Sequence, residues 1–413
     1  MFIKRIFLGA APQLFFGFLL TFSSSIGQTF FISLFAGEIR SELNLSHGMF
    51  GTLYSAATFI SALVFLWLGK FTDQFDLSLF GLIAFIALGL ISLMFANINT
   101  LFLLFLSLFG LRFFGQGLLG HIAITAMACW FSKKRGQALS FSALGYSLGE
   151  AVLPMLVAFF FTLLTWREIW FAIFLCIILI FLPVLYGFSK CIKSNSIKNS
   201  KNNSIEKKDI SYVSWNRTQV LKDFRFYQII PGLLASPFII TGVLFHQVHL
   251  VEIKSWSLKM FASCYPLYAL SSTVMMLAVG RIVDRFSAVH LLRFYLLPLG
   301  LGLILLAIID KTYSAPIFML LAGGTAGAAT IIMGALWVEL YGIDYLGSIR
   351  SMCFAIMVIS TSIAPGLIGL LIDIGLKLET QLFILAIYIF ICSVIFIIIT
   401  PSLLAKRDPP SVI

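Results

Sequence analysis

Long apolar runs, separated by short polar segments, fill most of this chain of 413 residues. A membrane-spanning helix needs roughly 20 mostly apolar residues, and lipid offers no partners for backbone N–H and C=O groups, so the runs must be helical. Six such runs precede a polar segment and six follow it. The pattern predicts twelve transmembrane helices, over residues 8–35, 48–69, 77–96, 101–128, 137–163, 168–188, 226–251, 257–280, 288–309, 313–338, 346–372 and 378–400.

The polar segment divides the chain into two halves of similar layout. It is mostly basic and has few apolar residues, which is typical of a flexible linker. We therefore expect an all-α membrane protein with two pseudo-symmetric six-helix bundles. The predicted parts are an N-terminal bundle over 1–188, a basic cytoplasmic linker over 189–224, a C-terminal bundle over 225–402 and a cytoplasmic tail over 403–413.

A short motif occurs once in each half, at 69–75 and again at 280–286. Each copy has a Gly, a base, two spacers, an Asp and, two residues later, a Phe. The same offset of 211 residues, the difference between positions 284 and 73, also aligns Pro154 with Pro365. Because several features recur at one offset, the chain is predicted to be two diverged copies of one unit.

The motif is predicted to act in gating. Its Gly permits two backbones to approach closely, and its Asp can cap the next helix. The bases can pair with Asp or with helix carbonyl ends in one gate state and release them in the other. The alternative is a loop that only sets topology. The candidate gating residues are Gly69, Lys70, Asp73, Gly280, Arg281, Asp284 and Arg285.

Composition agrees with a membrane protein, since 60% of the residues are hydrophobic and 11% are charged, against about 25% charged in soluble domains. The net charge of +11 could suggest nucleic acid. However, 21 bases fall on one set of alternate loops and six on the other. Cytoplasmic loops carry the Lys/Arg excess. We therefore expect a multi-pass protein of the plasma (cytoplasmic or inner) membrane, with both termini and the linker inside and no nucleic-acid partner.

The six cysteines show neither a C-x-x-C pair nor a metal-ligand spacing. Ser/His/Asp spacing for catalysis is likewise not visible. The sequence therefore predicts neither an enzyme nor a cofactor or metal site. A membrane enzyme would need a polar catalytic cluster near an interface.

Two opposite charges are predicted deep in the membrane. Arg112 lies about twelve residues from the outer end of its helix, roughly 18 Å at 1.5 Å per residue, and Glu150 lies at a similar depth on the next helix. A mid-membrane charge is costly and indicates a functional site by default. We expect the two to pair and to contact solute or protons, with a purely structural pair as the alternative. Gln116, one helical turn beyond Arg112, joins this candidate site.

Further polar side chains complete the candidate set. Gln28 ends a polar stripe on helix 1 that either lines a water-filled cavity or packs closely against another helix. His246 and His249 lie three residues apart in the outer half of helix 7, where they could titrate or simply occupy a wet interface. Helix 10 is rich in small residues at 323–329, which suits a close helix contact.

With these residues in hand, the chain resembles the major facilitator superfamily over nearly its whole length. The repeated loop motif, Arg112 with Gly117, and Gly145-x-x-x-Gly149 all resemble signatures of that family. Glu150 replaces the Pro that its antiporter motif carries at that position. The segment from Arg135 to Arg167 looks most like the monocarboxylate and oxalate:formate branch. That branch holds a carboxylate with a base in helix 8 or 11, and here the base of helix 11 is Arg350, at its inner end.

The resemblance implies alternating access around a central cavity lined by helices 1, 4, 5, 7, 10 and 11. We expect a monomeric secondary transporter that moves a small polar or anionic organic solute, coupled to protons. Arg112 would attract an anionic or polar group of the solute, and Glu150 would exchange protons or hold Arg112 in the empty state. An aromatic, vitamin-like or drug-like solute, moved by uptake or export, stays open, as does symport against antiport or uniport. A non-transporting sensor on the same fold is the rival class.

Overall fold

The computed structural model describes residues 2–68, 76–131, 135–196, 215–342 and 344–405. Every regular element within these ranges is helical. Eleven of the helical stretches described are long and apolar enough to cross a membrane, and a shorter apolar helix, Leu297–Ile308, falls where a twelfth was expected. The prediction of an all-α membrane fold is therefore confirmed.

The chain separates into two compact units, one made of residues 1–46 and 53–205 and the other of 47–52 and 206–413. The boundary falls inside the predicted linker. Helix α4 belongs to both units: its first six residues, 47–52, group with the second unit and the rest with the first. The helices from the start of the chain to the linker are α1 (Phe2–Ser24), α2 (Thr29–Ile32), α3 (Ala36–Leu43), α4 (His47–Leu68), α5 (Leu77–Ala96), α6 (Leu101–Gly110), α7 (Gly120–Trp130), α8 (Arg135–Phe160), α9 (Trp166–Leu175) and α10 (Leu182–Ser196).

The second unit contains the remaining helices. Its longest members form the apolar spans, and its short members lie at their ends. They are α11 (Arg217–Lys222), α12 (Phe224–Phe245), α13 (Gln247–Ile253), α14 (Leu258–Ala262), α15 (Tyr265–Phe286), α16 (Ala288–Leu291), α17 (Leu297–Ile308), α18 (Ser314–Tyr341), α19 (Leu346–Asp373) and α20 (Leu378–Leu404).

The first predicted span, 8–35, is not one continuous helix. After α1 the chain forms a 3₁₀ turn over Ser25–Gly27, and Gln28 is extended with φ −85° and ψ 153° before α2 begins. Ser and Gly are weaker helix formers than the surrounding apolar residues, and helix kinks concentrate at such positions. The hydrophobic run was long enough for one helix, but its Ser/Gly segment breaks that helix in two.

The ninth predicted span, 288–309, is also interrupted. α16 ends at Leu291, and α17 begins at Leu297 with Pro298 in its first turn. Proline has no backbone N–H to donate and is tolerated at the start of a helix, whereas it disrupts a helix interior. The apolar run therefore divides where Pro298 can begin a new helix.

Small residues bring helices into close contact in both units. In the first, a Cβ on Gly145 would clash with the Phe18 carbonyl oxygen, and one on Gly149 would clash with Ser25, so α8 packs directly on α1. In the second, Gly323 and Gly327 of α18 meet the α15 backbone in the same way. Small residues at such interfaces let membrane helices approach, as predicted for helix 10.

Helical structure is present at both ends of the predicted linker, 189–224. α10 continues to Ser196, and α11 forms a short helix over Arg217–Lys222. The α11 start has a reciprocal cap: the Gln219 amide donates to the Asn216 side chain and the Asn216 amide to the Gln219 side chain, at 2.9 and 2.8 Å. Such a capping box satisfies donors that a helix start otherwise leaves free, so polar residues here begin a helix.

Candidate functional site

Arg112 lies on a distorted part of its helix. Between α6 and α7 the chain forms a π-helix over Leu111–Leu119, and the Arg112 side chain is buried within it at 2% exposure. A π-helical turn has a wider repeat than an α-helix and recurs at functional sites. Gln116 was expected on the same face as Arg112 from α-helical spacing, which does not hold in a π-helix. Among the described residues, no hydrogen bond joins the two side chains.

The broken helix 1 supplies the partners of Arg112. The Arg112 Nη1 group donates to the Gly27 carbonyl oxygen at 3.2 Å and to Thr29 Oγ1 at 3.3 Å. The break frees this carbonyl, because helix hydrogen bonding stops at the extended Gln28. Tyr54 of α4 donates its hydroxyl to Thr29 Oγ1 at 2.8 Å, and its ring centroid lies 5.4 Å from the Arg112 guanidinium carbon. One side of the guanidinium is therefore held by the protein.

The close approach of two backbones makes this arrangement possible. A Cβ on Gly27 would clash with the Leu111 carbonyl oxygen, and one on Gly115 would lie 2.7 Å from the Gly27 Cα. The 3₁₀ turn of helix 1 thus rests on the π-helix with glycine on both sides. No larger residue fits at either position without moving a backbone.

The other side of the guanidinium has no hydrogen-bond partner among the residues that the structure describes. Arg112 Nε is buried without a hydrogen bond, and both hydrogen bonds of the side chain come from Nη1. A guanidinium presents its N–H groups as a planar fork that matches carboxylates and phosphates. The free edge, Nε with Nη2, is therefore available in chemical terms to a planar or oxyanionic group.

Glu150 is buried at 6% exposure on α8 and carries no hydrogen bond or ion pair to any residue that the structure describes. The Gly145 and Gly149 contacts with α1 hold this part of α8 in place. The expected direct pairing of Arg112 with Glu150 is not formed, because Arg112 donates to helix 1 instead. The two charges share a unit and a burial state without neutralising each other through contact.

Tyr146 is a further polar residue of this region that was not predicted from the sequence. It lies one helical turn before Glu150 and interacts electrostatically with both Arg112 and Glu150. Its ring packs edge-on against Phe30 of α2, with centroids 6.4 Å apart. Its hydroxyl makes no hydrogen bond to any described residue. Spacing alone could have found it, since residues four apart on a helix share a face.

The polar stripe of helix 1 serves mainly as a packing surface. Thr21 donates to the Phe18 carbonyl oxygen at 3.0 Å and to Ser142, and Ser24 donates to the Thr21 carbonyl oxygen at 2.7 Å. Gln28 differs because it is half-buried at the bend. Gln28 is therefore the residue of this stripe that remains a candidate for contact with a solute.

His246 and His249 lie in the second unit, at a break between α12 and α13. His246 Nε2 lies 3.0 Å from the Pro365 carbonyl oxygen, and His249 Nδ1 lies 3.8 Å from Glu252. Both rings approach His47, with centroids 6.1 and 4.3 Å away. The two predicted histidines therefore belong to a group of three. In the described part of the chain, no set of three or more His, Cys, Asp or Glu residues has the arrangement of a metal site.

The gating motif is described only in its second copy. The first copy, with Gly69, Lys70 and Asp73, lies outside the described residues, and so does the Asp284 side chain. In the second copy the chain is still helical, because α15 continues to Phe286. A Cβ on Gly280 would meet nothing within 4 Å among the described residues, so no backbone approaches this glycine closely here. Arg281 and Arg285 are exposed.

Different residues cap the helices that follow the motif. After the first copy, Asp76 accepts from the Leu79 amide of α5 at 2.9 Å. After the second, Glu339 accepts from the Ala288 amide at 2.8 Å and from the Ser287 hydroxyl. The following helices thus have acidic caps, as expected of the motif, but these carboxylates lie outside it.

Comparison with known proteins supplies the family. A family model described as Major Facilitator Superfamily matches residues 17–365. Among curated proteins, no sequence matches the chain.

Several solved structures share the fold. A bacterial homolog to the human lysosomal transporter Spinster, in an inward-facing and unoccupied conformation, gives a TM-score of 0.71 at 12% identity over 98% of this chain and 99% of that one. The same homolog in an occupied conformation gives 0.69 at 12% identity over 96% and 97%. The nucleoside transporter NupG gives 0.67 at 14% identity over 97% and 100%. Identities this low establish a common fold.

Proposed function

Since this chain belongs to the Major Facilitator Superfamily and is a multi-pass membrane transporter rather than an enzyme, we propose that it moves a small polar or anionic organic solute by alternating access, coupled to protons. One observation carries the proposal: two opposite charges, Arg112 and Glu150, are buried within one unit without contacting each other. Charges in the membrane are costly to keep, and neither of these is used to neutralise the other.

Arg112 suits the solute and Glu150 suits the proton. The free edge of the Arg112 guanidinium can hold an anionic group while Nη1 stays on helix 1. An anion arriving there adds a negative charge to a buried site. A proton on Glu150 would offset that charge, so the solute and the proton would enter together. The carboxylate branch suggested by the sequence supplies one candidate solute class, and an aromatic, vitamin-like or drug-like acid is the alternative.

The remaining predictions extend the proposal. We propose that the termini and the linker face the cytoplasm of a plasma membrane, on the asymmetry of the bases. On a cysteine-free background, Ser200→Cys should be labelled only from inside and Asn99→Cys only from outside.

We also propose that Asp73 and Asp284 hold one gate state. Asp73→Asn and Asp284→Asn should each slow transport, and wild-type rates in both would leave the motif a topology signal.

The function is tested with the full chain in proteoliposomes. Labelled lactate, oxalate, benzoate and nicotinate, with uridine as a neutral control, are offered under an imposed pH gradient and in counterflow exchange. We expect at least one acid to accumulate in wild-type vesicles. Glu150→Gln should keep exchange of that acid and lose its pH-driven accumulation.

Either of two outcomes would contradict the proposal. If Glu150→Gln accumulates the acid as wild type does, Glu150 carries no proton. If none of the compounds moves in either assay, the solute class is wrong, and a sensor on the same fold becomes the better explanation. The vesicles must contain equal amounts of wild-type and Glu150→Gln protein, and quantifying an affinity tag on each protein checks this.

A further inference from the structure

Three polar groups with unused hydrogen-bonding capacity lie in the first unit. They are the free edge of Arg112, the Glu150 carboxyl group and the Tyr146 hydroxyl, none of which is hydrogen-bonded to a described residue on that side. The titratable or charged side chains found around them are these three and Tyr54, which is bonded to Thr29. Buried polar groups are normally hydrogen-bonded in native proteins. Arg112 Nε is such an exception, and the Glu150 carboxyl group and the Tyr146 hydroxyl keep hydrogen-bonding capacity that a ligand or a proton can use.

Tyr146 is suited to connect the other two groups. It is within electrostatic range of both, and its spacing of four residues from Glu150 places both side chains on one face of α8. Phe30, against which its ring packs, belongs to the segment that follows Gly27 and Thr29, the partners of Arg112. The Tyr146 side chain therefore shares a face of α8 with the predicted proton carrier and packs against the segment that binds Arg112.

A phenol hydroxyl has a single proton to donate but can also accept. An ionised carboxylate only accepts, whereas a protonated carboxyl can itself donate. The partner of the Tyr146 proton therefore depends on the state of Glu150. When Glu150 is ionised, the hydroxyl donates to it. When Glu150 is protonated, Glu150 can donate to the phenol oxygen, and the phenol proton is free for another acceptor.

We propose that Tyr146 is a binding residue through which the solute at Arg112 senses the proton on Glu150. With Glu150 protonated, the Tyr146 hydroxyl donates to the anionic group of the solute beside Arg112. With Glu150 ionised, it turns to Glu150, and the solute loses that hydrogen bond. This role rests on the proposed function, because it assumes an anionic group at Arg112 and a proton at Glu150.

The experiment measures the KM of exchange as a function of pH for wild type, Tyr146→Phe and a control, Tyr186→Phe. Tyr186 is 60% exposed on α10 and has no part in the site. The probe is whichever of labelled lactate, oxalate, benzoate or nicotinate the wild type accumulates most. Wild-type KM should rise with pH. Tyr146→Phe should raise KM at acidic pH by about tenfold, the effect of one hydrogen bond to a charged group, and flatten its pH dependence.

Protein stability separates this role from a structural one. Because the Tyr146 hydroxyl has no partner among the described residues, Tyr146→Phe should melt at the wild-type temperature. A KM curve that coincides with wild type at every pH would overturn the role of Tyr146 alone, provided that Glu150→Gln is uncoupled. A coupled Glu150→Gln, or no transport of any of the four acids, would overturn it together with the proposed function.

Discussion

In the second unit, the buried Asp223 and Arg225 lie at the start of α12 and form an ion pair at 3.0 Å, with Tyr341 donating to Asp223 at 3.2 Å. In the first unit, Arg112 and Glu150 lie within their helices and form no ion pair with each other. Both pairs have the same kinds of charge and similar burial. The position along the helix and the number of partners differ, and these decide whether a buried charge stabilises the fold or is left for a ligand.

Both residues of the pair in the second unit make several hydrogen bonds within the protein. Asp223 caps α12 and accepts from the Arg225 amide at 3.1 Å, and Arg225 also donates to the carbonyl oxygens of Ser402 and Ala405 near the end of α20. The Trp215 amide donates to the Tyr341 carbonyl oxygen at 2.9 Å. This network ties the last part of the predicted linker to the ends of three helices, so its charges have no capacity left for a solute.

The largest expected effect comes from breaking that network. Asp223→Asn leaves Arg225 buried without its counter-charge, and removal of one partner of a buried pair costs about 3–5 kcal/mol. We expect a large drop in the thermal stability of the detergent-purified protein, or loss of folded protein. Tyr341→Phe is the matched control, because it removes one hydrogen bond to Asp223 but leaves the ion pair, and should cost less, about 1.5–3 kcal/mol.

Glu150→Gln sharpens the same measurement. Among the described residues Glu150 has no ion-pair partner that Glu150→Gln would leave unpaired. The substitution should therefore leave the thermal stability of the protein unchanged or raise it. Equal losses for Asp223→Asn and Glu150→Gln would contradict the distinction between paired and unpaired buried charge.

The next largest expected effect is a loss of solute binding when Arg112 is replaced. Arg112→Ala removes the proposed anion contact and should raise the KM of exchange by about ten- to a hundredfold, the range for a charge-assisted hydrogen bond. Arg112→Lys keeps the charge but not the planar fork, so it should recover little. Exchange kinetics in proteoliposomes provide the measurement. Wild-type KM in Arg112→Ala would place the solute elsewhere.

The sequence was sufficient to predict the fold class because its signals are long-range averages. The length of the apolar runs, about 20 residues, follows from the thickness of the bilayer, and their division into two sets of six follows from the polar segment between them. The breaks were less visible, since helix 1 divides at Ser25–Gly27 and α17 begins at Leu297, one residue before Pro298, within runs that are mostly apolar. Such breaks depend on a few residues and on the neighbouring helix that accommodates them.

The site could be predicted only in part, for a similar reason. Arg112 and Glu150 stand out because charge is rare within apolar runs. Their contacts could not be derived from spacing, because the π-helix changes the register and the helix 1 break exposes the Gly27 carbonyl oxygen to Arg112. Thr29 and Tyr54 were missed because a single hydroxyl in an apolar run is common and carries no pattern.

A third prediction tests the backbone contact that positions Arg112. Gly27→Ala places a methyl group against the Leu111 carbonyl oxygen, and overpacking of this kind costs about 1–3 kcal/mol. We expect reduced thermal stability together with weaker solute exchange, because the carbonyl that holds Arg112 must move. Gly187→Ala, whose Cβ would meet nothing within 4 Å, is the control. If the two variants melt alike, the contact is not tight.

The smallest effect concerns an exposed charge pair, which completes the comparison. Arg167 at the start of α9 donates to Glu42 of α3 and to the Ala96 and Ile98 carbonyl oxygens, and Trp166 donates to Glu42 at 2.9 Å. The hydrogen bond from Arg167 lowers the pKa of Glu42 below its usual value of 4.5. Glu42 is 43% exposed, so the pair contributes less than about 1 kcal/mol.

The sign of its pH dependence follows from that lowered pKa. The folded pKa of Glu42 lies below the unfolded one, so its contribution is fully present above the unfolded value and is lost as the pH falls through the folded value. Melting temperatures of wild type and Glu42→Gln should therefore differ slightly at pH 7 and converge below about pH 4. High salt should also shrink the difference at pH 7, because exposed pairs are screened. A gap that persists at low pH and in high salt would mean that Glu42 acts through neutral packing rather than through charge. An exposed pair would then resemble neither the occupied network of the second unit nor the unpaired charges of the first.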